Sequence, residues 1–418
     1  MRCVLLLAAT ACTHAALPAP TVTKETPASP DLDLLLVIED SSDNADKQTI
    51  FGADFPGFVA SLDALPGGRP NLHVGVIDST VDLGVVEPGC PSPDPDDNGL
   101  LQSTARVPGC TAPSDRYISD LADGGTRTTN YTGTLDTAMA CIAEVGDGGC
   151  GYRSPLLAAQ RALDGTRPEN AGFLRPGAAL ALVFLARNDD CSVSDPSFFA
   201  ADPQSSVVCA QSGLQCAQPI SAPGTYTDCT PRAGGPLLDL EQFQQTLATL
   251  KDPLLTAVTT IAGTPSSTVS FATSDISPLV EEDSCMATIN GDPTGGEPAV
   301  RLAAFTANLG GTFASICQSD YSTALKGVAD RAGALLTSCL PDGVAPTQCS
   351  VEDRASDVAT SIPNCPMIDA TTPDPMGPRP CWWVARDATC SGGELLHVER
   401  NAPAAEGTVV VATCAKQL

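Results

Sequence analysis

The sequence predicts an α/β domain with a mostly parallel β-sheet flanked by helices, followed by a small β region rich in cysteine. Short continuous apolar runs, the pattern of strands buried on both faces, alternate along the chain with segments of helical periodicity. Such alternation is typical of parallel strands that helices cover on both sides. Three long insertions and 18 cysteines indicate that this fold is cross-linked.

The alternation can be followed from residue 33 to about residue 338. The predicted strands are residues 34–38, 72–77, 179–185, 254–262 and 312–317. Predicted helices lie between and after them, with core faces that include Phe51, Phe55, Phe58, Val59, Leu62, Leu240, Phe243, Leu247, Leu302, Phe305, Leu325 and Leu335. Pro56 and Gly57 predict that the first helix is kinked or split. Pro298 at the first turn and Gly310 at the end delimit a later helix.

The insertions cover residues 83–133, 188–236 and 263–296, and they hold seven of the 18 cysteines. Loops of this length are uncommon unless they are functional or cross-linked. Local pairs such as Cys141 with Cys150 and Cys209 with Cys216 are expected. After residue 339 the helical periodicity ends, and residues 382–384, 395–398 and 408–413 are short predicted strands. The predicted division is therefore a main domain over 32–338 and a cysteine-rich β appendage over 339–418.

The charge balance argues against a nucleic-acid partner. The chain has 22 basic and 49 acidic residues, a net charge of -27, and no cluster of Lys or Arg. Phosphate backbones are bound by basic side chains that release counterions. An acidic surface suits a soluble protein or one that attracts cations.

The cysteines indicate disulfides formed in an oxidising compartment. Cys3 and Cys12 lie in the N-terminal segment, and the others form an even set from Cys90 to Cys414. The sequence contains no CxxC pair, and beyond the N-terminal segment only His73 and His397 are available as histidine ligands. Zinc-site spacing is therefore absent, and disulfides are the preferred interpretation.

The N-terminus predicts export. Arg2 precedes a short apolar core, and residues 9–12 (ATAC) place small residues before Cys12. This pattern is similar to a bacterial lipoprotein signal over residues 1–12, with Cys12 as the lipidated residue; an ordinary signal cut near Ala16 is the alternative. Residues 13–31 are rich in Pro, Thr and Ala and are expected to form an extended tether. The predicted location is the outer membrane or cell surface, with the periplasm as the alternative.

Residues 33–48 (DLLLVIEDSSDNADKQ) resemble the opening of a von Willebrand factor A (vWA) domain, where a buried strand ends in a metal-binding Asp-x-Ser-x-Ser loop. More specifically, the chain resembles cysteine-rich vWA-like surface lipoproteins of Gram-negative bacteria. Further matching segments are residues 97–102, 141–151, 189–192 and 298–325. The resemblance covers roughly residues 31–418 and implies a Rossmann-like vWA fold.

Carried over position by position, the resemblance implies a degenerate metal-ion-dependent adhesion site. The family Asp falls on Glu39, its first Ser on Ser41 and its second on Asp43. The third loop, which supplies a Thr or Glu, corresponds to the region of Ser154, and the final Asp falls on Arg187, with Asp189 beside it. Since such a site needs oxygen ligands, we expect that no metal binds here and that the Arg187 guanidinium replaces the cation by pairing with Glu39 or Asp43. A shifted register that uses Asp40, Ser42 and Asn44 is the alternative.

A second candidate is a calcium loop. Asp94, Asp96 and Asn98, followed by Gly99, match the first positions of the Asp-x-Asp-x-Asn-Gly signature. Ala105 stands where the closing acid is needed. The alternative is an acidic surface turn between Cys90 and Cys110. No cofactor is expected, with Ca²⁺ or Mg²⁺ as the open alternative.

Catalytic signatures are missing from the sequence, which has no GxSxG, HExxH or phosphate-loop motif. Ser154 lacks an activating neighbour in the sequence and is interpreted as a helix cap. The Trp382–Trp383 pair is interpreted as core rather than as a ligand platform. We therefore expect a non-enzymatic, lipid-anchored binding module with an unknown protein or glycan partner. A calcium-dependent structural envelope protein and an unrecognised enzyme are the alternatives.

Overall fold

The computed structural model describes residues 20–81, 97–149, 152–193, 195, 197–198, 207–274, 279–289, 291–356, 358–369 and 372–417. Cys12, Asp94 and Asp96 lie outside these residues. Within them, no helix is both long and apolar enough to cross a membrane.

Strands and helices are interspersed up to residue 336, and strands alone follow among the described residues. The strands are β1 Thr21–Pro27, β2 Asp31–Ile38, β3 Asn71–Asp78, β4 Ile118–Asp123, β5 Thr126–Thr129, β6 Ala179–Ala186, β7 Leu214–Gln215, β8 Gly224–Tyr226, β9 Thr230–Pro231, β10 Thr256–Ala262, β11 Val269–Ala272, β12 Val280–Glu281, β13 Cys285–Ile289, β14 Asp292–Gly296, β15 Thr312–Ser315, β16 Val344–Ala355, β17 Val358–Ile362, β18 Cys381–Arg386, β19 Glu394–Glu399 and β20 Val409–Lys416. The helices are α1 Ala45–Ala53, α2 Phe55–Asp63, α3 Leu135–Ala143, α4 Pro155–Leu163, α5 Val207–Gly213, α6 Leu240–Leu250, α7 Val300–Asn308 and α8 Ser322–Leu336.

The main sheet has seven strands in the order β15-β10-β6-β2-β3-β4-β5. The five strands from β15 to β3 are parallel, and the β4–β5 hairpin adds two antiparallel strands beside β3. The predicted mostly parallel sheet is confirmed. The hairpin lies inside the insertion at 83–133, where its short, half-exposed strands carry too little apolar pattern to be predicted. The predicted split of the first helix is also confirmed, since α1 and α2 are separated at Asp54.

Alternate residues of β2 enter two different cores. Leu34 and Leu36 face a core built from α1, α2, α3 and α8, and Leu35 and Val37 face one built from α4, α6 and α7. Both faces of the strand are therefore fully buried, which explains its continuous apolar sequence. Each fully buried Leu or Val contributes about 1.5–3 kcal/mol of transfer free energy.

The predicted tether over 13–31 is wrong for residues 21–27. They form β1, which pairs antiparallel with β20 from Thr21 opposite Ala415 to Pro27 opposite Val409. The resulting sheet has the order β1-β20-β16-β17, so both ends of the described chain meet in one sheet. Pro, Thr and Ala suggested a linker, but the β-branched Thr21, Val22 and Thr23 suit a strand once β20 offers a partner. The three predicted C-terminal strands are confirmed as β18, β19 and β20.

Seven disulfides cross-link the described residues. They are Cys110–Cys141, Cys191–Cys209, Cys216–Cys229, Cys285–Cys317, Cys339–Cys390, Cys349–Cys414 and Cys365–Cys381. The expected pairs Cys141 with Cys150 and Cys209 with Cys216 are wrong, because nearness in sequence was the only basis for them. This density of disulfides is consistent with an exported or surface protein.

A buried ion pair anchors the start of β2. Asp33 is fully buried, and its carboxylate accepts hydrogen bonds from Arg175 N at 2.7 Å and Arg175 Nε at 2.8 Å. Burial raises the pKa of Asp33, and Arg175 opposes that shift. Lys251 Nζ donates to the carbonyls of Arg175 and Ala178. The loop before β6 is therefore bonded both to Lys251 and, through Arg175, to Asp33 at the start of β2.

We predict that Asp33→Asn lowers the free energy of unfolding by about 3 kcal/mol, since it leaves the Arg175 guanidinium without a buried counter-charge. Denaturant unfolding of the oxidised protein measures the loss. The matched control is Asp31→Asn, because Asp31 lies 3.6 Å from Arg175 Nη1 but is 22% exposed; it should cost less than about 1 kcal/mol. Equal losses in the two variants would contradict a special role for the buried pair.

Candidate functional site

The carboxyl ends of the parallel strands meet at one edge of the main sheet, where partners and ligands bind in open α/β sheets. We call this region the loop edge and define it as residues 39–44, 78–81, 152–154, 187–193 and 279–284, together with Glu297. β2, β3 and β6 lead directly into it. It contains every described position of the predicted vWA-type metal site.

Glu39 leaves β2 with its carboxylate already engaged. Its Oε1 accepts a hydrogen bond from Ser41 Oγ at 2.6 Å and its Oε2 accepts one from Asn188 N at 2.8 Å. The Arg153 guanidinium lies 3.6 Å from Oε1, and Glu39 is 1% exposed. The cation that faces Glu39 is therefore Arg153, whereas the sequence had suggested Arg187 for this role.

Arg187 follows β6 and is surrounded by three carboxylates. Its guanidinium lies 2.9 Å from Asp283, 3.5 Å from Glu297 and 3.9 Å from Asp43. The sequence predicted a pairing with Glu39 or Asp43. Asp283 lies in the insertion at 263–296 and Glu297 directly follows it, and the sequence could not give the position of either. Arg187 thus joins the end of β6 to residues 283 and 297.

Ser154 and Asp189 have roles other than those predicted. The Ser154 hydroxyl donates to Cys191 O at 3.3 Å and makes no cap hydrogen bond; Asp190 instead accepts from Leu156 N at the start of α4. The Asp189 carboxylate accepts from Arg301 N at 2.7 Å and Leu302 N at 3.0 Å, so it caps α7. The sequence placed Asp189 among the metal-site positions only because it lies close to Arg187 in the chain.

A different group of acids converges beside Glu39. Asp40, Asp78 and Asp97 are all buried, and one carboxylate oxygen of each lies within 4.8 Å of the other two. Asp40 accepts hydrogen bonds from Ser79 Oγ and Thr80 Oγ1. Burial raises the pKa of Asp78 well above its usual value, and the charges of Asp40 and Asp97 add to the shift. Carboxylate oxygens at this spacing are ligands that Ca²⁺ or Mg²⁺ prefers.

The predicted calcium loop contributes to this group through a residue that was not predicted as a ligand. Asn98 was predicted, but its Oδ1 accepts a hydrogen bond from Arg161 of α4, whereas the neighbouring Asp97 joins the acidic group. Gly99 has a φ of 75°, and a Cβ there would lie 2.5 Å from Ala158 O. This close approach sets the loop against α4 and turns Asp97 inward. The motif indicated acidic ligands here but not which side chain faces the protein interior.

A small cavity of about 20 Å³ lies at the loop edge. Its charged lining residues are Arg153, Asp189, Asp190, Glu281, Glu297 and Arg301. Arg301 Nη1 and Arg153 Nε and Nη1 are buried and have no hydrogen-bond partner within the described residues. A volume of this size suits one water molecule.

Burial shifts the acids around this cavity towards their neutral forms. It raises the pKa of Glu297 to about 7, against the opposing charge of Arg187. It raises that of Asp189 to about 6, although backbone donors of α7 oppose the shift. Burial also raises the pKa of Glu281 well above its usual value, with further contributions from Glu297, Asp189 and Asp283.

The remaining candidates lie away from the loop edge. His73 Nδ1 lies 2.9 Å from Phe173 O within the buried region near the start of β3, a structural position. Trp382 is 4% exposed and belongs to the core of the C-terminal region. Trp383 stacks on His397 with ring centroids 4.3 Å apart, so only one of the two tryptophans is core.

Comparison with known proteins gives no family assignment. No protein-family model matches the chain, and no curated protein matches it. Among solved structures, the human COPII-coat protein Sec24c is similar over 95% of this chain and 42% of its own, with 11% identity and a TM-score of 0.32.

Two pilus proteins are also similar. The pilus adhesin RrgA of Streptococcus pneumoniae has 10% identity and a TM-score of 0.23, with 95% of this chain and 58% of that chain covered. The adhesive tip pilin GBS104 of Group B Streptococcus agalactiae has 9% identity and a TM-score of 0.28, with 95% and 81% covered. This chain spans less than two thirds of Sec24c and of RrgA. These scores are too low to carry an argument about fold or function.

We predict that Arg187→Met destabilises the protein by about 3 kcal/mol near pH 8, because Asp283 and Glu297 lose their shared cation. The loss should be smaller near pH 5. Glu297 has a raised pKa of about 7, so it is largely neutral at pH 5 and no longer depends on Arg187 there. Thermal unfolding at the two pH values measures the difference. A loss that is the same at both would contradict the assignment of Glu297 as a partner that titrates.

Proposed function

We propose that this chain is an exported, vWA-like binding module of the cell envelope whose loop edge contacts a partner without a metal at Glu39. The observation that carries the proposal is the arginine network at that edge. Glu39 is held by Ser41, Asn188 and Arg153, and Arg187 by Asp283, Glu297 and Asp43. Both arginines supply the positive charge that a cation would otherwise provide.

Three further features support a binding role. The edge is formed by loops at the carboxyl ends of parallel strands, where recognition sites are common. Disulfides hold two of the insertions that form it, through Cys191–Cys209 and Cys285–Cys317, and a fixed loop loses less entropy on binding. The cavity there has room for about one water, which favours a non-enzymatic role.

We further propose that Cys12 carries a lipid anchor and that the protein faces the outside of the outer membrane or the periplasm. The partner is a protein or a glycan. The net charge of -27 disfavours nucleic acid, because phosphates would be repelled.

The binding proposal predicts that a charge reversal at the loop edge weakens partner binding. Asp43 is 69% exposed there. Asp43→Lys should lower retention on the cognate surface about tenfold, since it replaces a negative charge by a positive one in the electrostatic potential that a partner meets. The assay uses the labelled oxidised protein on an array of purified envelope proteins and surface polysaccharides. The matched control is Glu169→Lys, a 48% exposed acid that precedes β6 at the opposite edge of the sheet; it should bind as the unmodified protein does. Equal binding by both variants, or no retention on any spot, would count against the proposal.

A second candidate function is a calcium-dependent structural envelope protein, and one observation favours it. Asp40, Asp78 and Asp97 bring three buried carboxylates within 4.8 Å of one another. A divalent cation held there would join the end of β2, the end of β3 and the loop at residue 97. Such a cation would offset the mutual repulsion that raises the pKa of Asp78.

This candidate predicts that millimolar Ca²⁺ or Mg²⁺ raises the melting temperature of the metal-stripped protein. A cation present at 100 times its Kd stabilises by about 2.7 kcal/mol. Asp78→Asn should abolish the shift, whereas Glu39→Gln should retain it, which separates the acidic group from the vWA-type position. Calorimetry with and without each cation is the measurement. No shift in the unmodified protein would reject this candidate and leave the metal-free binding module.

A further inference from the structure

Glu281 is a buried acid without a compensating partner. It ends β12, is 9% exposed and lines the loop-edge cavity. Within the described residues its carboxyl group accepts no hydrogen bond and has no cation within ion-pair distance. A buried carboxylate in such a position is costly unless it takes up a proton or gains a partner.

The groups that face Glu281 explain why no cation compensates it. Three acids raise the pKa of Glu281 through their negative charges, namely Glu297, Asp189 and Asp283. The two arginines that line the cavity face other acids, since Arg301 lies 3.1 Å from Asp190 and Arg153 lies 3.6 Å from Glu39. The charged groups thus come from the residue 283 turn, the β14–α7 junction, the segment after β6, the start of α4 and α7.

Glu281 and Glu297 also lie at the two ends of one segment that packs on the loop edge. We call residues 279–289 and 291–297 the covering segment. Arg187 binds it through Asp283 and Glu297, Glu297 N donates to Arg187 O at 2.9 Å, and Lys47 Nζ donates to Thr294 Oγ1. The Cys285–Cys317 disulfide ties it to the chain two residues after β15, so it can loosen locally but cannot leave.

We propose that Glu281 and Glu297, which line the same cavity, form a pH-sensitive latch, which holds the covering segment on the loop edge while the two acids carry protons and loosens it when both are ionised. The inference rests on the proposed function for its consequence, because a loosened segment would change what a partner meets at the loop edge. At high pH, two ionised carboxylates and the charges of Asp283 and Asp189 crowd one buried region, and the repulsion favours exposure to water.

The direction of the pH effect follows from proton linkage. The pKa of Glu297 is raised to about 7, and that of Glu281 is raised well above its usual value. The closed form therefore binds more protons than the loosened form, in which both acids return towards about 4.3. Closure is favoured below neutral pH and is lost progressively as the pH rises through the raised pKa values.

Hydrogen exchange of the full oxidised chain, followed by mass spectrometry, tests the latch without a partner. After correction for the intrinsic pH dependence of exchange, protection of the covering segment should fall about tenfold or more from about pH 6 to about pH 8.5, as one unit of pKa shift corresponds to a factor of ten. Protection of the β18–β19 hairpin should not change. Glu281→Gln should keep the covering segment protected at both pH values, and Glu297→Gln should reduce the pH dependence.

The matched control is Glu282→Gln, which removes the same charge from the exposed neighbouring residue and should exchange as the unmodified protein does. Equal protection at both pH values in the unmodified protein would overturn the latch, as would an effect of Glu282→Gln as large as that of Glu281→Gln. Since no partner is present, these outcomes leave the loop-edge binding proposal intact. Failure of the Asp43→Lys experiment would conversely leave the latch intact.

Discussion

Strand β2 runs through the middle of the main sheet with both faces buried, and the charges at its two ends therefore need compensation inside the protein. At its start, Asp33 is held by Arg175. At its end, Glu39 faces Arg153, and Asp40 joins Asp78 and Asp97. Removing charges from water is costly, and only close counter-charges or hydrogen bonds offset that cost. The positions of α4, the loop after β6 and the loop at residue 97 all follow from this requirement.

The loop edge combines two unequal halves. Around Glu39 and Arg187, each carboxylate has a guanidinium group within 3.9 Å. Around Asp78 and Glu281, acids face acids, and burial raises their pKa values. Acids whose pKa values are raised in this way respond to protons or cations in their surroundings. The loop edge can therefore keep its shape in one part while the other responds to pH or to a divalent ion.

The disulfides explain how long insertions can form part of the loop edge. The insertions at 188–236 and 263–296 contain short strands with few apolar residues, which alone would give marginal stability. Cys191–Cys209, Cys216–Cys229 and Cys285–Cys317 restrict them to a small set of conformations. In the C-terminal region, the pairing of β1 with β20 has a comparable effect, because it ties the start of the described chain to its end.

The sequence by itself determined the α/β class, the parallel strands and the cross-linked character of the chain, because continuous apolar runs and cysteine content are local signals. It also drew attention to Glu39, Asp43 and Arg187. Only the tertiary structure decided which arginine faces Glu39, that Asp97 and not Asn98 turns inward, and that Glu281 is buried among acids. These outcomes depend on contacts between residues far apart in the chain, for which one sequence carries no periodic signal. For the same reason residues 21–27 were predicted as a tether, because the strand that pairs with them, β20, lies at the other end of the described chain. The disulfide pairs could likewise not be derived from the spacing of the cysteines.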